Sequence, residues 1–383
     1  MAAFSWLVLA LVLSAFAPPA RAVPITPSDD AQVIEVLGGG AARAEARRLK
    51  RDLAQQPQNP ALAARFARRY IDEARAEGDP RLAGQALAVL RPWPDAATAP
   101  IDVLLMQATV EQYLHEFDSA ASKLERLLAR DARQPQAWLT LATIRRVQGR
   151  YAESDRACEQ LGALRVALHA AACRAENDAL RGDFAQAHAN LRRLLASPGL
   201  DGATRNWLLT SLAELEDRAL RPAAADAAYR AALAAADDSY SLTAYADFLI
   251  AQGRPDDALR LLQDQPRSDA VLLRLALAGA AAHAPQGARD AAEMRARIAQ
   301  AGLRPQAQNV HAREQSMFAL QVDHDPARAL ALARENVRQQ REPIDLLVLA
   351  QAARAANQAE AVQETARLRR EMDLHDRRLD ALL

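Results

Sequence analysis

Lysine is almost missing from this chain: of its 48 basic residues only Lys50 and Lys123 are lysines. Aromatic residues make up 4% of the 383 positions, and there are two cysteines. So few rings exclude a core built on large aromatic side chains, and two cysteines exclude a disulfide-dense scaffold. Net charge is missing too, since 48 acids balance the 48 bases and the pI is near 7.1. Nucleic acid binding needs a concentrated positive face, which this balance does not offer. The arginines are spread beside Glu and Asp, as solvated helix faces have them, and their excess over lysine fits a GC-rich bacterial genome.

Catalytic signatures are also lacking. There is no nucleophile elbow, no HExxH and no phosphate-binding loop. Gly38-Gly39-Gly40 leads into Ala41 rather than Lys-Ser or Lys-Thr, so it reads as a flexible joint. The seven histidines never pair at metal-ligand spacing. Asp323-His324-Asp325 holds ligand-type side chains, but Asp325-Pro326 reads as a helix cap and first turn. Asp256-Asp257 follows Pro255 in another first turn, where carboxylates favour the helix dipole. The expectation is no enzyme, no metal and no cofactor.

Only one long apolar run occurs, FSWLVLALVLSAFA at residues 4–17. It is shorter than the ~20 residues a membrane-spanning helix needs. Pro18-Pro19 breaks it, and Ala20-Arg21-Ala22 matches a small-x-small cleavage site that would leave Val23 as the new terminus. Met1-Ala2-Ala3 carries no basic side chain, a departure from the usual export signal. No cysteine stands at the new terminus, which argues against a lipid anchor. Residues 1–22 are expected to be a cleaved signal peptide, residues 23–40 an extended tether, and 41–383 the folded body of a periplasmic or secreted protein without stable membrane insertion.

What the chain has in quantity is alanine, arranged as a ladder. Ala83, Ala120, Ser154, Ala187, Ala225, Ala258, Ala291, Ala329 and Val362 recur at steps of 33 to 38 residues. Twelve residues upstream of each runs a second ladder: Ile71, Ala108, Ala142, Ala175, Ala213, Ala246, Gly279, Met317 and Ala350. Two small positions at fixed separation, repeated along a chain too long for one core, predict helix pairs that approach closely in every unit. Second helices are predicted to start at Pro80, Phe117, Tyr151, Phe184, Pro222, Pro255, Ala288, Pro326 and Ala359. Proline suits a first turn, and the preceding Gly78, Gly149, Gly182, Gly253 or Asn357 suits a left-handed turn. Asp79 and Asp325 are the expected caps of two of these helices. The ladder weakens where Arg295 takes an expected core place and His324 replaces a turn glycine.

Residues 137–158, AWLTLATIRRVQGRYAESDRAC, resemble a tetratricopeptide repeat: Trp138, Leu141, Ala142, Gly149 and Tyr151 fall where that family has its signature residues. YADFLIAQGRPDDALRLL, residues 245–262, is a second instance. The resemblance covers about residues 56–375. It implies an all-α solenoid of about nine helix pairs in a right-handed superhelix, with capping helices at both ends and the first helix of each pair lining a concave face. At helical spacing that face would carry Asp102, Thr109 and Gln112, then Gln136, Thr143 and Arg146, then His169 and Glu176. Trp207, Thr210, Glu214 and Asp217 follow, then Tyr240, Thr243 and Asp247. Aromatics beside acids suit a partner helix or an extended basic peptide, while ordinary packing between adjacent first helices accounts for them equally well. The Lys, Asn and Arg set with which some members of the family clamp a terminal carboxylate is absent.

Cys158 and Cys173 sit nearly symmetrically about the turn at 162–165, so a disulfide is feasible and two buried free thiols are the alternative. The function these features suggest is a non-catalytic periplasmic scaffold holding a protein or peptide in the groove. The alternative is an accessory or regulatory subunit that positions a cell-wall or polysaccharide enzyme.

Overall fold

The computed structural model describes residues 40–77, 80–302 and 311–383. The expected signal peptide, its expected cleavage site at Ala22 and Val23, nearly all of the expected tether, and Gly78 and Asp79 lie outside the described residues. Two compact units divide the chain, residues 1–51 and 52–383. Of the first, the described part is the start of helix α1 (Gly40–Gln55).

The described residues of 52–383 hold nine consecutive helix pairs. They begin with α2 (Pro60–Glu77) and α3 (Pro80–Leu90), α4 (Ile101–Tyr113) and α5 (Phe117–Arg130), then α6 (Pro135–Val147) and α7 (Tyr151–Ala163). Next come α8 (Ala167–Leu180) and α9 (Phe184–Leu195), α10 (Gly202–Arg218) and α11 (Pro222–Ala235), then α12 (Ser239–Ala251) and α13 (Pro255–Leu262). The last are α14 (Asp269–Ala281) and α15 (Gly287–Gly302), α16 (Ala312–Gln321) and α17 (Pro326–Asn336), then α18 (Pro343–Ala355) and α19 (Ala359–Glu371), with a short α20 (Arg377–Asp380) behind them. Eight of the nine second helices start at the predicted residue, and α15 starts one earlier. No strand occurs among the described residues, and none of their helices is long and apolar enough to cross a membrane.

The alanine ladder is the packing seam of these pairs. Every rung except Val362 is buried. Small side chains at the rungs let two backbones approach, and the rung Gly279, which meets Gly287 one turn before the rung Ala291, is the limiting case. A Cβ built on Gly279 would lie 2.5 Å from the Gly287 Cα. Within each of the second to ninth pairs the chain reverses through one left-handed residue. Gly149, Gly182 and Gly253 supply it at φ 74°, 88° and 70°, and His115, Leu220, His283, His324 and Asn357 supply it in other units at φ 52–62°. Histidine and asparagine enter this region more readily than most side chains, which explains why the glycine signal is discontinuous along the sequence. Leu220 is the bulky exception and leaves 54% of its surface exposed.

Three expectations resolve locally. Asp325 caps α17, accepting from the Arg328 amide at 3.0 Å. Asp257 is tied to Arg254 and Arg260 on the surface of α13. Arg295 is not in the core, because Ala291 and Met294 take the buried places of α15. Its guanidinium lies outside, 5.5 Å from the Phe318 ring centroid, and pairs with Asp323 at 2.7 Å.

Cys158 on α7 and Cys173 on α8 are joined by a disulfide, with Cα atoms 5.8 Å apart. That separation falls within the usual range for such a bond.

Residues 52–383 also fold back on themselves. Leu180 O accepts from the His375 amide, and Val147 O from the Arg341 amide, both at 2.7 Å. Met372 fills the space beside Gly149, and His375 that beside Gly182, where a Cβ would come within 2.8 Å of either side chain. Leu374 and Leu379 share an apolar cluster with Tyr151 and Leu180. The end of the chain therefore caps more than the last pair: it also seals the turn edge of the third to fifth pairs.

Candidate functional site

The sequence-predicted face is best judged helix by helix. On α4, Asp102 is exposed and Gln112 half-buried, while the Thr109 hydroxyl donates to Leu105 O at 2.8 Å. On α6, Gln136 donates to Thr140 Oγ1 at 3.3 Å, and the Thr143 hydroxyl donates to Leu139 O at 3.1 Å. Thr243 on α12 does likewise with Ser239 O at 2.9 Å. These three threonines spend their donor on their own helix, a common habit of helical threonine. Thr210 is buried and shares a hydrogen bond of 2.7 Å with Ser241 Oγ.

Arg146, His169, Glu176 and Trp207 come together across α6, α8 and α10. Glu176 Oε1 accepts from Trp207 Nε1 at 2.9 Å and from the Ser211 hydroxyl at 2.6 Å. Its other oxygen pairs with Arg146 at 2.7 Å, and the His169 ring stacks on Trp207 with centroids 5.7 Å apart. Trp207 is thus part of the seam between adjacent first helices, the packing alternative. Asp247 is held the same way, by two bonds from Arg274 of α14 at 2.9 and 2.7 Å. Asp217 is buried against the end of the chain and pairs with Arg378, which also holds Asp376. Burial raises the Asp217 carboxyl above its usual range, and Arg378 pulls it partly back.

Tyr240 differs from the rest. Its hydroxyl donates to Glu214 Oε1 at 2.6 Å, yet 58% of its surface remains exposed. The Glu214 charge, with burial second, raises the Tyr240 hydroxyl well above the ordinary tyrosine range. Burial likewise raises the Glu214 carboxyl, with the Arg218 cation and the Tyr240 hydrogen bond opposing. Tyr240 is thus an exposed ring whose hydroxyl is fixed by a carboxylate of the neighbouring first helix. The charge of Glu342, at the N-terminus of α18, adds to both shifts. Arg218 Nε and the Tyr151 hydroxyl are buried with no hydrogen-bond partner among the described residues.

Sequence reasoning missed Arg274, Arg313, Gln340, Glu342 and Arg378. Arg313 Nη1 donates to Glu342 at 3.2 Å and Nη2 to Gln340 at 3.0 Å. Local pattern carries no sign of Gln340 or Arg378, whose partners His115 and Asp217 lie 225 and 161 residues away. Among the described residues no three His, Cys, Asp or Glu side chains converge as a metal site.

Nine stacked helix pairs with small residues at every seam define an α-solenoid. More narrowly, the fold is that of the tetratricopeptide-repeat proteins. No protein-family model matches the chain, and no curated protein matches it either. Among solved structures, a Rap protein complexed with competence and sporulation factor aligns over 90% of this chain and 94% of its own, with TM-score 0.50 and 12% identity. A tetratricopeptide repeat protein from Parabacteroides merdae aligns over 58% of this chain and 85% of its own, with TM-score 0.46 and 17% identity. Yeast Tom70 aligns over 87% and 81%, with TM-score 0.40 and 11% identity. At these identities the likeness is one of fold.

Proposed function

We propose that the chain is a non-catalytic scaffold of the bacterial envelope that holds a partner polypeptide at the surface formed by Tyr240 and Glu214. The observation that carries this reading is the exposed Tyr240 ring, oriented by its hydrogen bond to Glu214. A rigid aromatic with an apolar face and a fixed polar end is the type of residue that anchors polypeptide interfaces. The Rap protein, aligned over nearly its full length, is one with a bound factor, which supports a binding role for a chain of this fold. Export is supported by the Cys158–Cys173 disulfide, since such bonds persist in oxidising compartments.

The reading is tested by partner capture with Tyr240→Ala and Glu214→Arg. Both should lose the partner while retaining wild-type helicity and unfolding midpoint. Undiminished capture by both would place the binding surface elsewhere. Cell fractionation with intact-mass measurement tests export, which requires a mature chain starting at Val23.

A further inference from the structure

The hydrogen bond between His115 and Gln340 joins the turn of the second pair to the segment before α18. Its protonation state follows from the geometry. Gln340 is buried, and its side-chain oxygen Oε1 accepts from Arg313 Nη2 at 3.0 Å. A guanidinium only donates, so the amide must present its oxygen to Arg313 and its nitrogen to His115. Gln340 Nε2 lies 2.8 Å from His115 Nδ1. An amide nitrogen also only donates, so Nδ1 must be the bare acceptor of a neutral imidazole whose proton is on Nε2.

We infer that this junction is an acid-sensitive catch: protonating His115 sets an N–H against the Gln340 amide N–H and releases residues 340–342 from the turn at His115. The same segment carries Glu342, and its neighbour Arg313 holds both Gln340 and Glu342, so release disturbs the Arg313 bonds as well as the junction.

The surroundings act in the same direction. Burial first, then the Arg313 cation and His311, hold the His115 ring below the ordinary histidine range, against the opposing charges of Glu314 and Glu342. His311 presents its ring edge at 6.2 Å between centroids, and Phe117 stacks at 5.5 Å. Glu116 is the acid beside His115 in its own turn, and burial raises its carboxyl. A histidine depressed in the folded state gives its full contribution above its unfolded value, ~6.5, and loses it as pH falls through the lower folded value. Asp345, which faces Arg313 at 3.3 Å, works oppositely. Burial raises its carboxyl, so acid relieves a cost there instead of imposing one.

Two measurements on the full chain test the catch, and neither needs a partner. Nitrogen-15 NMR of the histidines should show His115 with Nδ1 unprotonated at neutral pH. Spin labels at Ser122→Cys and Gln339→Cys, both exposed positions, should give a longer and broader distance distribution as pH is lowered stepwise from about 7.5, past the ordinary histidine value of ~6.5, through the lower value of the folded His115 ring. His115→Asn, which tolerates the left-handed φ of 62° and keeps an acceptor, should not respond to pH. Gln340→Glu should reverse the response, because a carboxylate accepts from protonated histidine. A protonated Nδ1 at neutral pH overturns the catch, and so does an acid response that His115→Asn retains. If His115→Asn fails to fold, an unreversed response in Gln340→Glu overturns it alone.

Discussion

Replacing Gly279 by alanine should destabilise the protein, although the same exchange within a helix ordinarily stabilises. In a helix interior, glycine costs about 1 kcal/mol relative to alanine, so backbone entropy alone predicts a gain of that size. At Gly279 the new Cβ would lie 2.5 Å from the Gly287 Cα and 3.2 Å from its nitrogen. Both are backbone atoms, so no side chain can turn aside, and α15 must move away from α14. Forcing an extra methyl into a packed seam costs about 1–3 kcal/mol. Because only backbone can give way, the cost falls at the upper end of that range and the clash wins, with a net loss of up to about 2 kcal/mol after the entropy gain is offset. Gly84 in α3 is the internal control, because a Cβ there meets nothing within 4 Å. Gly84→Ala should therefore gain about 0.5–1 kcal/mol. Urea unfolding followed by far-UV circular dichroism reads both. A Gly279→Ala midpoint at or above wild type would refute the claim that the ladder marks backbone approach.

The remaining expectations concern the staple, the folded-back terminus and the junction. Reducing the Cys158–Cys173 bond, which spans 15 residues, should lower stability by about 3 kcal/mol, read as a midpoint shift with and without reductant. Arg378→Ala strips the buried Asp217 and Asp376 of their shared cation and should cost about 3 kcal/mol. It should also open residues 372–383 to limited proteolysis, and an unchanged digestion pattern would count against the fold-back. The His115 junction should loosen in acid, as set out above, with His115→Asn indifferent to pH.

Most of the fold was legible because it is written locally. Seven of the nine second helices start at a proline or an aromatic residue, and each rung recurs within one unit. Where the turn glycine gives way to His115, Leu220, His283 or His324, the pattern fades, yet the backbone still takes the left-handed form. The site was only partly legible. Spacing placed Arg146, Glu176, Trp207, Tyr240 and Asp247 on one series of helices, but could not separate seam from open surface. That distinction depends on what the neighbouring helix offers: Glu176 engages Trp207, and Arg274 engages Asp247. The fold-back lay beyond spacing altogether, since Met372, His375 and Arg378 meet partners more than 150 residues earlier in the chain.

The most direct test of the binding claim is site-specific photocrosslinking in native envelopes. A benzophenone side chain at position 240 should give a discrete polypeptide adduct, and one at the exposed Arg193 of α9 should not. Added wild-type protein should compete the adduct away, and added Glu214→Arg protein should leave it. Equal adducts from both positions, or competition by Glu214→Arg as effective as wild type, would contradict a partner surface at Tyr240.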